Sequence, residues 1–147
     1  MAAKKVIVVD DDEMVVAGMC ILLKEQGYDT LGLAIGKSGE KQGVVYSSNL
    51  EHAAGLVRGF KPNLVLLDHT LISAFNGTDL AKAAKVPKKR CISISTTYRQ
   101  EEACADMLLA DKSKLAGVGA AIPTEREEIQ ADIDRFLKQV AKVTGTK

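Results

Sequence analysis

The sequence predicts a doubly wound α/β fold, a parallel β-sheet with helices on both faces, and three observations carry that reading. The first is the run Asn63-Leu64-Val65-Leu66-Leu67-Asp68, in which four consecutive apolar residues follow Lys61-Pro62 and end in a carboxylate. Such a run is too short for a lone helix and reads as a strand buried on both faces. The second is its repetition in Lys5-Val6-Ile7-Val8-Val9, which ends in Asp10-Asp11-Asp12-Glu13. The third is the alternation of strand and helix patterns along the chain, which implies parallel neighbours joined by right-handed crossovers. Ligands of such sheets sit in the crevice at the C-terminal strand ends, so architecture places both acidic groups at a site. Like charges crowded there repel and raise each other's pKa values unless they share a cation. An oxygen-only cluster suits a hard ion such as Mg2+.

The elements follow in order. After the first strand, Met14 to Gln26 carries Val15, Val16, Met19, Leu22 and Leu23 at helical spacing and stops at Gly27. Asp11 or Asp12 can cap its first turn. Tyr28 to Ile35 reads as the second strand. Gly36 to Gly43, GKSGEKQG, is polar, glycine-rich and without apolar period, and reads as a mobile loop. Its deletion from Lys37 to Gln42 is expected to cost little, because loop length is entropically cheap. Val44-Val45-Tyr46 is then read as a strand pairing back in a hairpin. Ser48-Asn49-Leu50-Glu51 is a capping-box pattern that opens a helix to about Arg58.

The strand to Asp68 comes next, then a loop to Asn76 and a short helix from about Thr78 to Lys85. Lys88-Lys89-Arg90 reads as a solvated turn, near enough to the next strand and helix for partner contact. The fourth strand is Cys91 to Ser95, the fourth helix Arg99 to about Ala110, and the fifth strand Val118 to Ile122. Thr124-Glu125-Arg126-Glu127 is a second capping box. Ile129, Ile133, Phe136, Leu137 and Val140 give the clearest amphipathic helix of the chain.

Composition bounds the function. A chain of 147 residues buries about two-thirds of its unfolded surface, enough for one core. Residues 1–147 are read as a single domain with its core over about 4–141 and an insertion over about 36–47. A formal charge of +1 supplies no field for nucleic acid or an acidic membrane. No apolar run reaches transmembrane length, no signal peptide opens the chain, and a cytoplasmic location is expected. Cys20, Cys91 and Cys104 lack metal-ligand spacing and read as small buried hydrophobes in a reducing compartment. Gly32 to Ser38 imitates a phosphate-binding loop but is one residue short between its glycines. His52 and His69 read as single, solvent-facing side chains.

VIVVDDDE (Val6 to Glu13), KPNLVLLD (Lys61 to Asp68), NGTDL (Asn76 to Leu80) and ISISTTY (Ile92 to Tyr98) together, in this order and spacing, resemble the receiver domain of two-component response regulators. The resemblance spans about Lys4 to Val140. It implies a flavodoxin-like sheet of five parallel strands in the order 2-1-3-4-5 with five helices. It implies Asp68 as phosphoacceptor, with Mg2+ held by Asp10, Asp11, Asp68 and the backbone carbonyl of Thr70. Thr96 would be the switch hydroxyl. The phosphoryl group would come from a histidine kinase or phosphotransfer protein. The signal would pass to a downstream protein through the surface of the fourth helix, fifth strand and fifth helix. A receiver of this kind is a signalling domain that assists its own phosphotransfer rather than an enzyme acting on a substrate.

The chain also departs from that family's pattern. The family's lysine precedes a proline at the end of the fifth strand; here Ile122 precedes Pro123, so the slot falls on Ile122 and its accompanying aromatic on Gly119. Lys112 and Lys114 lie upstream, in the expected connection, and neither fits the pattern; in a competing alignment one of them reaches the pocket. HTLISAFNG after Asp68 is one residue longer than the common loop and lacks its proline. These departures sustain an alternative, a pseudo-receiver interaction module that binds a partner without productive phosphorylation. In the plainest reading, Asp10 to Glu13 is an acidic helix cap, Asp68 a turn residue, and Thr96 and Thr97 a strand end.

Overall fold

The computed structural model describes residues 3–95, 101–108, 111–120, 127 and 129–145. In chain order the elements are β1 (Lys5–Asp10), α1 (Glu13–Glu25), β2 (Asp29–Ile35), β3 (Val44–Ser47), α2 (Leu50–Phe60) and β4 (Leu64–Leu67). They continue with α3 (Gly77–Ala83), a 3-10 turn at Lys88–Arg90, β5 (Cys91–Ser93), β6 (Asp106–Met107), α4 (Lys112–Ala120) and α5 (Gln130–Thr144). The six strands form one sheet in the order β3-β2-β1-β4-β5-β6, and every pairing is parallel.

Alternation along the central strands divides the core in two. Val6, Val8, Leu64, Leu66 and Ile92 face Met19 and Leu23 of α1, Leu115 of α4, and Phe136 and Val140 of α5. Ile7, Val9, Leu33, Val65 and Leu67 face Ala53, Ala54 and Val57 of α2 and Leu80 and Ala81 of α3. Both faces of β1 and β4 are therefore covered, which is why their sequences are unbroken apolar runs. Among the described residues no helix is long and apolar enough to cross a membrane.

Local chemistry sets the helix ends. Asp12 caps α1 by accepting from the Met14 N–H at 2.9 Å, and Gly27, with φ of 88°, turns the chain toward β2. The cap of α2 is Asn49, which accepts from the His52 N–H at 3.0 Å; the expected Ser48 box does not form. Asn76 and Asp79 form a reciprocal capping box on α3.

Three sequence expectations are corrected. Val44–Ser47 does not fold back as a hairpin: Gly32 pairs with Val44 and Ile35 with Ser47 in parallel, which adds an outer strand to the expected five. Residues 36–43 must therefore run the length of the strand before β3 can start. Joining Gly36 directly to Gly43 leaves three Cα steps, about 11 Å at full stretch, to cover the offset between Ile35 and Val44. Deleting Lys37 to Gln42 is thus expected to detach β3 and lower the melting temperature, contrary to the loop-entropy expectation. A melting curve superimposable on the parent's would contradict the parallel pairing.

The second correction concerns the fifth strand and fourth helix. Residues 101–103 form a turn and Asp106–Met107 pairs with Ile92 and Ser93, so the expected helix at Arg99 to Ala110 is absent over its described part. The Ala105 N–H donates to the Cys91 carbonyl at 3.1 Å, and Cys104 is joined to Cys91 as a disulfide, which lays this segment along β5. Instead of strand, residues 112–120 are helical, opened by Asp111, whose side chain accepts from the Ser113 N–H at 2.8 Å. Ile122 lies outside the described residues. The third correction concerns cysteine: all three are buried as expected, but only Cys20 is a free thiol.

Candidate functional site

β1 and β4 are hydrogen-bonded neighbours in register Val9↔Leu67, so the residues that follow them emerge side by side at the C-terminal end of the sheet. Asp10 closes β1 and is fully buried; Asp68 follows β4 and is 5% exposed. Asp11 is half-buried beside them. Oxygens of the three carboxylates lie within 4.8 Å of one another, so the structure brings together the three acidic residues singled out in the sequence. The backbone holds them there: the Asp68 N–H donates to the Val9 carbonyl at 3.0 Å, and the Asp12 N–H donates to Asp10 Oδ1 at 2.9 Å.

The residue that sequence reasoning misplaced is Lys112. It is the first residue of α4, and its Nζ reaches Asp10 Oδ2 at 2.8 Å and Asp68 Oδ1 at 3.1 Å. Its own side chain is 19% exposed. The signal for it was present: Met107-Leu108-Leu109-Ala110 followed by Asp111-Lys112 repeats the pattern of an apolar run ending in charge. A proline-based alignment passes over it, because Ser113 stands where the family's proline is expected.

Charge and burial compete in this cluster. Burial, then the charge of Asp68, pushes the Asp10 carboxyl up from 3.8 to about 7, against the opposing pull of Lys112. Burial also raises Asp68, with Lys112 again lowering it and Asp11 raising it. Burial works against the Lys112 ammonium, but hydrogen bonds and charge from Asp10 and Asp68 outweigh it, and its pKa is raised.

A carboxyl whose pKa is higher folded than unfolded stabilises the fold only while it is protonated. For Asp10 that contribution is whole below about pH 4 and is lost as the pH rises toward about 7. Asp10→Asn, which cannot ionise, is expected to raise the melting temperature by several degrees at pH 8 and much less at pH 4. Equal shifts at the two pH values would contradict this.

The loop after Asp68 is anchored rather than loose. The Gly77 N–H donates to the His69 carbonyl at 2.8 Å, Ile72 bridges Phe75, and Leu71 and Phe75 are buried. Thr70 is exposed in this loop, two residues past Asp68. His69 is half-buried rather than solvent-facing, and its Nδ1 has no hydrogen-bond partner among the described residues. His52 is exposed, with its Nδ1 2.8 Å from Ser47 Oγ. Thr96, Thr97 and Tyr98 lie outside the described residues; before them Ile94 donates to the Leu67 carbonyl at 3.1 Å, so the chain leaves β5 beside Asp68. On the other side, Tyr46 donates to Glu13 Oε2 at 2.7 Å and accepts from the Lys41 N–H at 3.3 Å. The 36–43 loop is thereby tied to the acidic segment.

The donor set, three carboxylates without thiolate or imidazole among them, fits a hard oxygen-seeking ion such as Mg2+. Lys112 already occupies one oxygen each of Asp10 and Asp68, and Asp10 Oδ1 takes a backbone N–H, so such an ion would share these two carboxylates with Lys112.

No family model matches the chain, and no curated protein sequence does. Solved structures do. A putative response regulator from Chloroflexus aurantiacus is 17% identical with a TM-score of 0.57, covering 98% of this chain and 99% of that one. A CheY-like response regulator receiver domain protein from Methanospirillum hungatei is 18% identical with a TM-score of 0.53, covering 94% and 99%. The response regulator domain of Thermotoga maritima CheB is 14% identical with a TM-score of 0.50, covering 90% and 98%. With its parallel sheet wound on both faces and its acidic strand ends side by side, this chain has the fold of response regulator receiver domains.

Proposed function

We propose that this chain is a receiver of two-component signalling, acting in the cytoplasm, which takes a phosphoryl group on Asp68 from a histidine kinase or phosphotransfer protein. The observation that carries the reading is the Lys112 bridge between Asp10 and Asp68, inside a three-carboxylate cluster at the C-terminal end of the sheet. Asp10, Asp11, Asp68 and the Thr70 backbone carbonyl would hold Mg2+. When bound, Mg2+ supplies positive charge that offsets the repulsion between Asp68 and an anionic donor. An Asp68 oxygen then forms a bond to phosphorus as the bond from phosphorus to the donor's leaving atom breaks. Lys112 gives a charge-assisted hydrogen bond to the phosphoryl oxygens, having held Asp68 in place beforehand. Thr96 would be the hydroxyl that turns toward the phosphoryl group. The signal would leave through the surface of the fourth helix, last strand and fifth helix, here α4, β6 and α5, toward a downstream protein.

A second reading, a pseudo-receiver that binds its partner unmodified, draws on the same bridge: Lys112 already gives Asp10 and Asp68 the positive partner that a metal ion would otherwise provide. The two readings part on metal. In a receiver, Mg2+ raises the melting temperature by mass action on the folded state, and Asp11→Ala removes that increment. No increment in the parent protein favours the pseudo-receiver; an increment unchanged in Asp11→Ala places the ion elsewhere. Incubation with Mg2+ and a small phosphodonor is the direct test of phosphoacceptance.

A further inference from the structure

At the end of the sheet opposite Asp68, cations gather around one groove. No acidic residue occurs between Glu51 and Asp68 or between Asp79 and Glu101, while the described residues of these stretches supply Arg58, Lys61, Lys82, Lys85, Lys88, Lys89 and Arg90. The C-terminal ends of α2 and α3 and the turn before β5 converge there on a groove of about 280 Å3. Val57, Ala84 and Val86 provide apolar surface, Pro62 and Pro87 stiffen the walls, and Arg58, Lys61, Lys85 and Arg90 line it with exposed cations. Among the described residues, none of these four cations has a carboxylate partner.

Two ordinary explanations cover part of this charge. Cations complement the negative end of a helix dipole, and Arg58 donates to the Ala83 carbonyl at the end of α3. Each helix end amounts to roughly half a negative charge, so two helices offset about one cation of the four. Among the described residues, about three positive charges stay uncompensated around one groove. The backbone is also informative. Lys61 and Lys85 both have positive φ, 54° and 57°, in the left-handed region that favours glycine at helix ends. At both places the chain holds a long cationic side chain in a conformation that suits glycine better, and both line the same groove.

We propose that this groove binds a small phosphorylated molecule with an apolar or planar body, of about mononucleotide size. Multiple uncompensated cations call for a polyvalent anion, and arginine forks match phosphate oxygens. The apolar walls call for a non-ionic part that packs against them. The volume is at the small end of ligand pockets, which suits such a molecule better than a segment of a protein partner, whose interface would need a far larger surface. The groove lies away from the acidic site and does not depend on the function proposed for it.

The test is amide-resolved NMR of the full chain at physiological ionic strength, titrated separately with adenosine monophosphate, inorganic phosphate and a hexaglutamate peptide. The double variant Lys61→Gly/Lys85→Gly removes two charges while easing both backbone conformations, so it keeps the fold. Adenosine monophosphate is expected to give saturable shifts at 57–61 and 84–90, leaving 10–12 and 68–70 in place, and to bind at least tenfold more weakly to the double variant. It is also expected to bind more tightly than inorganic phosphate. Absence of saturable shifts at the groove, equal affinity for inorganic phosphate, or unchanged binding by the variant would each overturn the proposal. So would saturation of the groove by hexaglutamate alone, which would mark it as a site for an acidic protein segment.

Discussion

Lys112→Ala is expected to lose the response to a phosphodonor and to be destabilised by about 3 kcal/mol above about pH 8, where Asp10 ionises, because removing one partner of a buried ion pair strands the other. Two carboxylates are stranded here, Asp10 and Asp68, both almost fully buried and both bonded to the same ammonium. The loss is smaller at acid pH, where protonation relieves the pair. Lys114→Ala, a residue exposed on the first turn of α4, is expected to change neither property. Ile122→Lys is expected to confer no gain, since Lys112 already fills the position beside Asp68. A normal phosphodonor response in Lys112→Ala, or a clear gain in Ile122→Lys, would contradict this assignment. The variants are read by denaturant unfolding at two pH values together with a conformational signal on adding Mg2+ and phosphodonor.

The second large effect is expected at Gly18, which governs how α4 delivers Lys112. A Cβ at position 18 would fall on the backbone of Ala116, carbonyl included, so α1 and α4 approach through glycine alone. Backbone cannot swing aside as a side chain can. Gly18→Ala is therefore expected to destabilise by about 1–3 kcal/mol, the usual cost of overpacking, although alanine is the better helix former by about 1 kcal/mol. Gly55→Ala in α2, where nothing lies within 4 Å of an added Cβ, is expected to show the opposite sign. Because Lys112 rides on α4, Gly18→Ala is also expected to weaken the effect of Mg2+ and phosphodonor, and Gly55→Ala is not. Parallel unfolding curves for the pair decide the point; stabilisation by both would mean that α1 and α4 pack less closely.

The parts legible in the sequence were those fixed by local pattern and full burial. Val6–Val9 and Leu64–Leu67 are apolar on both faces, and only a covered parallel sheet accommodates such runs, so the adjacency of Asp10 and Asp68 followed from architecture. The ends of α1 were legible, its start narrowed to Asp11 or Asp12 and its stop placed at Gly27, because capping is local chemistry, whereas the caps at Asn49 and Asn76 were not singled out. The edge strands were not. β6 has two residues and is held by Ile92, Ser93 and Cys91 rather than by any pattern of its own. β3 has four, and its parallel pairing depends on the long run of 36–43 and on the Tyr46–Glu13 contact, neither of which shows as periodicity. Lys112 was missed through the same weakness: without β6 in place, the strand end before it could not be aligned, and Ile122-Pro123 offered a misleading match. The basic end was hidden for another reason. A net charge of +1 averages an acidic pocket at one end of the sheet against the cations at the other.

The central claim is that Asp68, beside Asp10 and Lys112, accepts a phosphoryl group. Its most direct measurement is intact mass spectrometry after incubation with Mg2+ and a small phosphodonor, with Asp68→Asn and a chelator-treated sample alongside. The account predicts one phosphoryl adduct on the parent chain, located to Asp68, and none in either control. A parent chain that stays unmodified while retaining its fold, or an adduct that persists in Asp68→Asn, would contradict it.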